Sequence, residues 1–161
     1  MNYIIREMVK EDTKQVQEAV KKSWNATYDG IIPIEIQDNF LKGAYNDEMM
    51  KRRLEHSLML VAEADDTILG FANFTPVNKK NHTELSAIYL LPEYQGEGIG
   101  SALLNAGIEK LENVKEIQLD VEKENTIGTT FYKAKGFKVV KEYNDNFDGH
   151  ILKTVRMELT L

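Results

Sequence analysis

The chain has 161 residues, 42% of them hydrophobic, which fits a single domain over residues 1–161 with a core of its own. Its formal net charge of −6 argues against general binding to nucleic acid or a membrane surface, and suits a cationic small molecule. The lack of cysteine excludes a disulfide scaffold, a Cys-ligated zinc and a cysteine acyl-enzyme, and with no signal-like start and no membrane-length apolar run the chain reads as cytoplasmic.

Residues 3–6 read as a short first strand, and Lys10, Glu11 and Asp12 open a helix whose Val16, Ala19, Val20 and Trp24 recur at helical spacing. Asp29-Gly30 breaks that helix, and Pro33 starts a second one at a tolerated first-turn position. Asn46-Asp47 precede a third helix to about His56, with Met49, Met50, Arg53 and Leu54 on one side. The basic run 51–53 reads as a solvated face, and Lys79-Lys80 as a loop or hairpin tip. Residues 58–64 and 68–74 form two strands of a hairpin around the turn-prone cluster 65–67, and residues 84–91 form the next strand. A helix over 99–111 buries Leu103, Leu104, Ile108 and Leu111; a strand at 117–121 and a short helix at 126–135, stopped by Gly136, follow. Strands 137–143 and 152–159, with a turn over 144–149, complete the sheet. His56, His82 and His150 lie among polar neighbours without metal-ligand spacing, so they read as surface histidines and no metal is expected.

The most informative segment joins the strand ending at Pro92 to the helix at Ile99, through Gln95, Gly96, Glu97, Gly98, Ile99, Gly100 and Ser101. A helix start exposes unpaired N–H groups at the positive end of the helix dipole, and glycines let a pyrophosphate approach the backbone. A P-loop is excluded because no Gly-Lys-Ser/Thr occurs. A dinucleotide fingerprint would begin at Gly98 and Gly100 but puts Leu103 where its third glycine belongs, although Asp120 lies at a suitable distance for a ribose ligand. The third pattern, Q/R-x-x-G-x-G/A after a strand ending in proline, is matched in full by Gln95, Gly98 and Gly100.

That third pattern is the coenzyme A pyrophosphate loop of the GCN5-related N-acetyltransferases, a family that this chain resembles over nearly its whole length. A second stretch strengthens the resemblance: Leu119, Val121, Asn125, Phe131, Tyr132, Gly136 and Phe137 look like the family's L-x-V…N…F-Y-x-x-x-G-F. Gly128 stands where the family usually has alanine, which implies a looser helix. The resemblance implies an α/β (α+β) fold, with a mixed, mostly antiparallel sheet of about seven strands, flanked by helices and splayed at the cofactor slot. It implies acetyl-CoA as cofactor and a small-molecule amine as partner, and is compatible with a homodimer. Residues 39–54, with Phe40-Leu41 and Ala44-Tyr45-Asn46 ahead of a charged helix, also look like bacterial polyamine acetyltransferases. Amino acids, peptides and antibiotics stay open as acceptors, and so does a catalytically silent acyl-CoA-binding module.

The same resemblance assigns site residues. Backbone groups of Ile88, Tyr89 and Leu90 are expected to pair with pantetheine, and Asn125 to bond the cofactor near it. Tyr132 points at the thioester sulfur as the general acid. Taken alone, Asn125 reads first as a helix N-cap and Tyr132 as a core tyrosine; the surrounding motif is what favours their functional roles. An alkylammonium has a pKa of about 10.4, so a base or a depressed pKa is needed at neutral pH. Glu84 is the first choice for that base and contacts the acceptor, on a face expected to hold Glu84, Ser86 and Ile88 together. Asp120 and Glu122 are the alternatives, of which at most one is expected to enter the cleft. Trp24 is expected in the core, and Tyr28 either there or on the wall of the acceptor cleft.

Overall fold

The computed structural model describes residues 2–161. Seven strands form one sheet in the order β1-β2-β3-β4-β5-β7-β6. They are β1 (Ile4–Glu7), β2 (Leu58–Ala64), β3 (Thr67–Phe74), β4 (His82–Leu90), β5 (Glu116–Glu122), β6 (Lys138–Phe147) and β7 (His150–Thr160). Five helices flank them: α1 (Thr13–Tyr28), α2 (Ile34–Ala44), α3 (Asp47–His56), α4 (Ile99–Lys110) and α5 (Thr126–Ala134). Every strand pair is antiparallel except β4–β5. No helix among the described residues is long and apolar enough to cross a membrane.

The elements start where side chains satisfy free backbone groups. Asp12 accepts from the Val9 amide at 2.9 Å and from both Arg6 guanidinium nitrogens at 2.8 and 3.0 Å, tying the start of α1 to β1. Asn46 caps α3 by accepting from the Met49 amide at 2.9 Å. Two hairpins close through two-residue turns with both residues at positive φ: Asp65-Asp66 between β2 and β3, and Asp148-Gly149 between β6 and β7. The second turn corrects the expected loop over 144–149. Asn144 to Phe147 stay paired in β6, because a polar edge strand needs no apolar face and the Asp-Gly pair alone reverses the chain.

The sheet separates two cores. One packs Leu60, Phe74, Leu85, Ile117 and Leu119 against Ile99, Leu103 and Leu104 of α4. The other packs Val61, Phe71 and Ala87 against Val16, Val20, Trp24 and Tyr28 of α1, and Met50 of α3. Leu85 and Ala87 fall in different cores although two residues apart, because β4 carries a bulge. Asn73 faces Ala87 and Phe74 faces Leu85, leaving Ser86 as the extra residue.

A polar network anchors this bulge from β3. The Ser86 hydroxyl donates to the Asn73 carbonyl at 3.2 Å. The Asn73 side chain donates to Ser57 at 2.7 Å and accepts from Arg53 at 2.8 Å. Arg53 also donates to the Ala44 carbonyl and lies 4.3 Å above the Tyr45 ring. Arg53 is therefore not part of a solvated basic face, as the run 51–53 had implied; its guanidinium joins α2, α3 and the sheet.

Candidate active site

The bulge and the parallel pairing together open the sheet. β4 and β5 pair only at His82–Glu116, Thr83–Ile117 and Glu84–Gln118. Beyond that rung, residues 85–90 pair with β3 alone and residues 119–122 with β7 alone, so the strands diverge as a V. A cleft of about 470 Å³ fills the V. Since the Leu91 amide bonds the Leu69 carbonyl, strand alternation turns the Tyr89 amide toward β3 and those of Ile88 and Leu90 into the cleft. Ile88 and Leu90 thus present backbone groups to an added strand. Tyr89 instead lines the cleft with its side chain, a correction to its expected backbone role.

The glycine turn lies at the mouth of the V. Gly96 and Gly98 have φ of +81° and +84°, and no atom lies where a Cβ would project. Gly98 begins α4 and no side chain caps it, while the first intrahelical bond runs from Ala102 to Gly98. The amides of Ile99, Gly100 and Ser101 are thereby aimed outward without helical partners, the arrangement that receives an anion. Gln95, Gly96, Gly98, Gly100 and Ser101 line the cleft. Glu97 faces solvent and the Ile99 side chain is fully buried, so those two contribute only backbone.

Asn125 sits across the cleft as the N-cap of α5, its Oδ1 accepting from the Gly128 amide at 2.9 Å. A Cβ on Gly128 would come within 2.7 Å of the Asn125 amide nitrogen, so glycine here accommodates the cap as well as loosening the helix. Tyr132, half-buried, lies edge-on to Phe131 and Phe137 and lines the same cleft. Burial, and then the neighbouring Tyr89, hold its phenol above its ordinary value. Tyr28 is buried and lines the cleft too; burial and then Tyr89 raise its phenol, with the Asn125 side chain opposing.

The carboxylates are arranged differently from expectation. Because of the bulge, Glu84 shares a face with Ala87 and Tyr89 and not with Ile88, so it points to the side of α1. It is exposed at the last β4–β5 rung, just outside the residues that line the cleft; partial desolvation of its carboxyl, then the charge of Asp120, raise its pKa while Arg156 lowers it. Asp120 and Glu122 both line the cleft, since residues two apart on a strand emerge from one face. Asp120 is held by Arg156 at 2.9 and 3.2 Å and by the Tyr143 hydroxyl at 3.0 Å. Glu122 is buried, takes the Glu124 amide with one oxygen, and has its pKa raised chiefly by burial. Asp145 and Phe147 of β6 also line the cleft and were missed in the sequence because their segment was assigned to a loop. Strand spacing from Tyr143 would have placed Asp145 on its face.

Trp24 belongs to the core and the cleft at once. Its ring stacks on Phe40 at 4.5 Å and meets Tyr28 at 4.7 Å and Phe147 at 6.0 Å. Such pairs are worth about 0.5–1.5 kcal/mol each beyond burial, enough to hold the β6–β7 hairpin tip over the cleft. His150 ties that tip to the loop between α1 and α2, with Nε2 3.2 Å from the Ile31 carbonyl, whereas His56 is exposed and His82 lies 3.7 Å from Glu116. Among the described residues no three His, Cys, Asp or Glu side chains gather as a metal site.

Comparison with known proteins agrees with this geometry. A spermidine N(1)-acetyltransferase of Thermoplasma acidophilum is 33% identical over 147 residues, covering 86% of this chain and 90% of its own. An uncharacterised N-acetyltransferase of Bacillus subtilis is 32% identical over 156 residues, covering 94% and 89%. Among solved structures, the PaiA N-acetyltransferase from Thermoplasma acidophilum in complex with coenzyme A superposes with a TM-score of 0.85 at 31% identity, each chain covered in full. The model of the Acetyltransferase (GNAT) family matches residues 17–137, and the chain belongs to that family.

Proposed function

We propose that this acetyltransferase moves an acetyl group from acetyl-CoA directly to a primary amine of a small polycation. The observation that carries the acceptor class is the charge of the cleft. Its acceptor half presents Asp120, Glu122 and Asp145, and among the ion pairs of the described residues only Asp120 has a cation, Arg156. Trp24, Tyr28 and Phe147 add aromatic faces on which an ammonium is favourable. The similarity to a protein named for spermidine supports the same class.

The donor fits what the cleft offers. The free amides of Ile99, Gly100 and Ser101 suit its pyrophosphate, Ile88 and Leu90 its pantetheine amides, and the Asn125 side chain lies beside that path. Acetyl-CoA supplies an acetyl group as a thioester; as the C–N bond forms and the C–S bond breaks, protons leave nitrogen and one reaches sulfur. Tyr132 retains its proton at neutral pH and is the acid for that sulfur. Glu84 takes the ammonium proton through water, its raised pKa bringing it closer to the working range.

A thiol-release assay with acetyl-CoA against spermidine, spermine, amino acids, aminoglycosides and short peptides tests the reading. The polyamines should give the highest kcat/KM. A higher value for an amino acid or peptide would overturn the acceptor class, and no release with any amine would overturn the enzyme reading.

A further inference from the structure

The apex of the V holds more charge than one base requires. Glu84 stands on the last paired rung, opposite Gln118. Asp120 follows two residues along β5, on the same face, since Ile117 and Leu119 occupy the core on the other. Arg156 lies opposite Asp120 in the β5–β7 register and spans it with two nitrogens, and Tyr143 donates to Oδ2. The guanidinium fork is therefore committed to Asp120, and no side-chain hydrogen bond among the described residues reaches the Glu84 carboxylate. On the β3 side its neighbour is the neutral Thr75, which accepts from the Glu84 amide. On the same face Glu158 of β7 stands opposite Gln118, in register with Lys138 of β6, and the next charged pair along the strands is His82 with Glu116, at 3.7 Å.

We propose that Asp120 and Arg156 are positioning residues that set the basicity of Glu84 by holding one fixed negative and one fixed positive charge beside it. The proposal rests on the acetyl-transfer reading. The sign follows from Coulomb's law: Asp120 disfavours the ionised Glu84, while Arg156 favours it but is tied to Asp120. With the fork occupied, Glu84 stays free to accept a proton instead of being locked as a salt-bridged carboxylate. In the reaction the ammonium loses one proton to Glu84 before attack and a second as the amide forms. One replaces the proton Tyr132 gives to sulfur, and the other is released to solvent.

The test is a carbon NMR titration of the Glu84 carboxyl in the intact protein and in Asp120→Asn, Arg156→Gln and Arg156→Lys, paired with kcat/KM against pH. Both side chains are partly exposed, at 29% and 32%, so these variants should fold. The Glu84 midpoint should fall in Asp120→Asn, rise in Arg156→Gln and stay near its original position in Arg156→Lys. The acidic limb of kcat/KM should move the same way and vanish in Glu84→Gln, whose plateau falls by about 10²–10⁴-fold. A midpoint unmoved by either charge removal would overturn the proposal, and so would an acidic limb that survives in Glu84→Gln. The expected midpoint shifts in a protein with no amine-dependent thiol release would overturn the acetyl-transfer reading alone, since the titration needs no turnover.

Discussion

The proposed acetyl transfer sets a phenol that still carries its proton beside the departing sulfur; any tyrosine is protonated at neutral pH, and burial only reinforces this for Tyr132. Its ring is wedged between Phe131 and Phe137, and removing it from water disfavours the phenolate. Tyr28 and Tyr89 line the same cleft with phenols raised for the same first reason, so identity depends on placement and not on acidity. Replacing Tyr132 by Phe keeps the packing and deletes the proton. Turnover should drop by about 10²–10⁴-fold, while the dissociation constant for coenzyme A stays within a factor of about two, because no pyrophosphate or pantetheine contact is lost. Steady-state kinetics with calorimetric binding would check both, and undiminished turnover would pass the acid role to Tyr28 or Tyr89.

At the scale of single elements, the same chemical change should have opposite effects in two helices. A Cβ on Gly107 of α4 would lie 2.2 Å from the Phe74 ring, which is fully buried in β3. A Cβ on Gly43 of α2 would meet nothing within 4 Å. Gly43→Ala should stabilise by about 0.5–1 kcal/mol through helix propensity. Gly107→Ala gains that term but overpacks α4 against the sheet, at about 1–3 kcal/mol, for a net loss. Urea denaturation of the two variants decides it; a stabilised Gly107→Ala would mean that α4 can retreat from β3. The glycine turn and the helices were legible in the sequence because their determinants are local: Pro92, positive-φ glycines, an Asn cap. The bulge at Ser86 was not, because it is fixed by Asn73, Ser57 and Arg53, distant in sequence, and it reversed the face of Glu84. For Asp120 and Glu122 the information was present, since their spacing alone puts both on one face.

For the molecule as a whole, the cleft is also where the sheet is least continuous. Four strands and α4 lie on one side, three strands and α5 on the other, and between them the sheet is continuous through the three β4–β5 rungs alone. A ligand that runs along the V replaces missing strand pairing on β4 while its phosphates engage the start of α4. It should therefore stabilise the folded chain strongly, by mass action and by bridging the two halves. At one hundred times its dissociation constant, coenzyme A should add about 2.7 kcal/mol. For a chain of this size that corresponds to a rise in Tm of roughly 5–10 °C. NAD carries a pyrophosphate but no pantetheine to pair with Ile88 and Leu90, so at equal concentration it should shift Tm by less than about 1 °C. Hydrogen exchange separates bridging from simple binding. Protection should appear at the amides of Ile88 and Leu90 and at residues 99–101, on the donor's path, with smaller changes in α2 and α3. Equal stabilisation by NAD, or protection confined to residues 99–101, would mean that the loop binds phosphate without the cleft holding a donor in line.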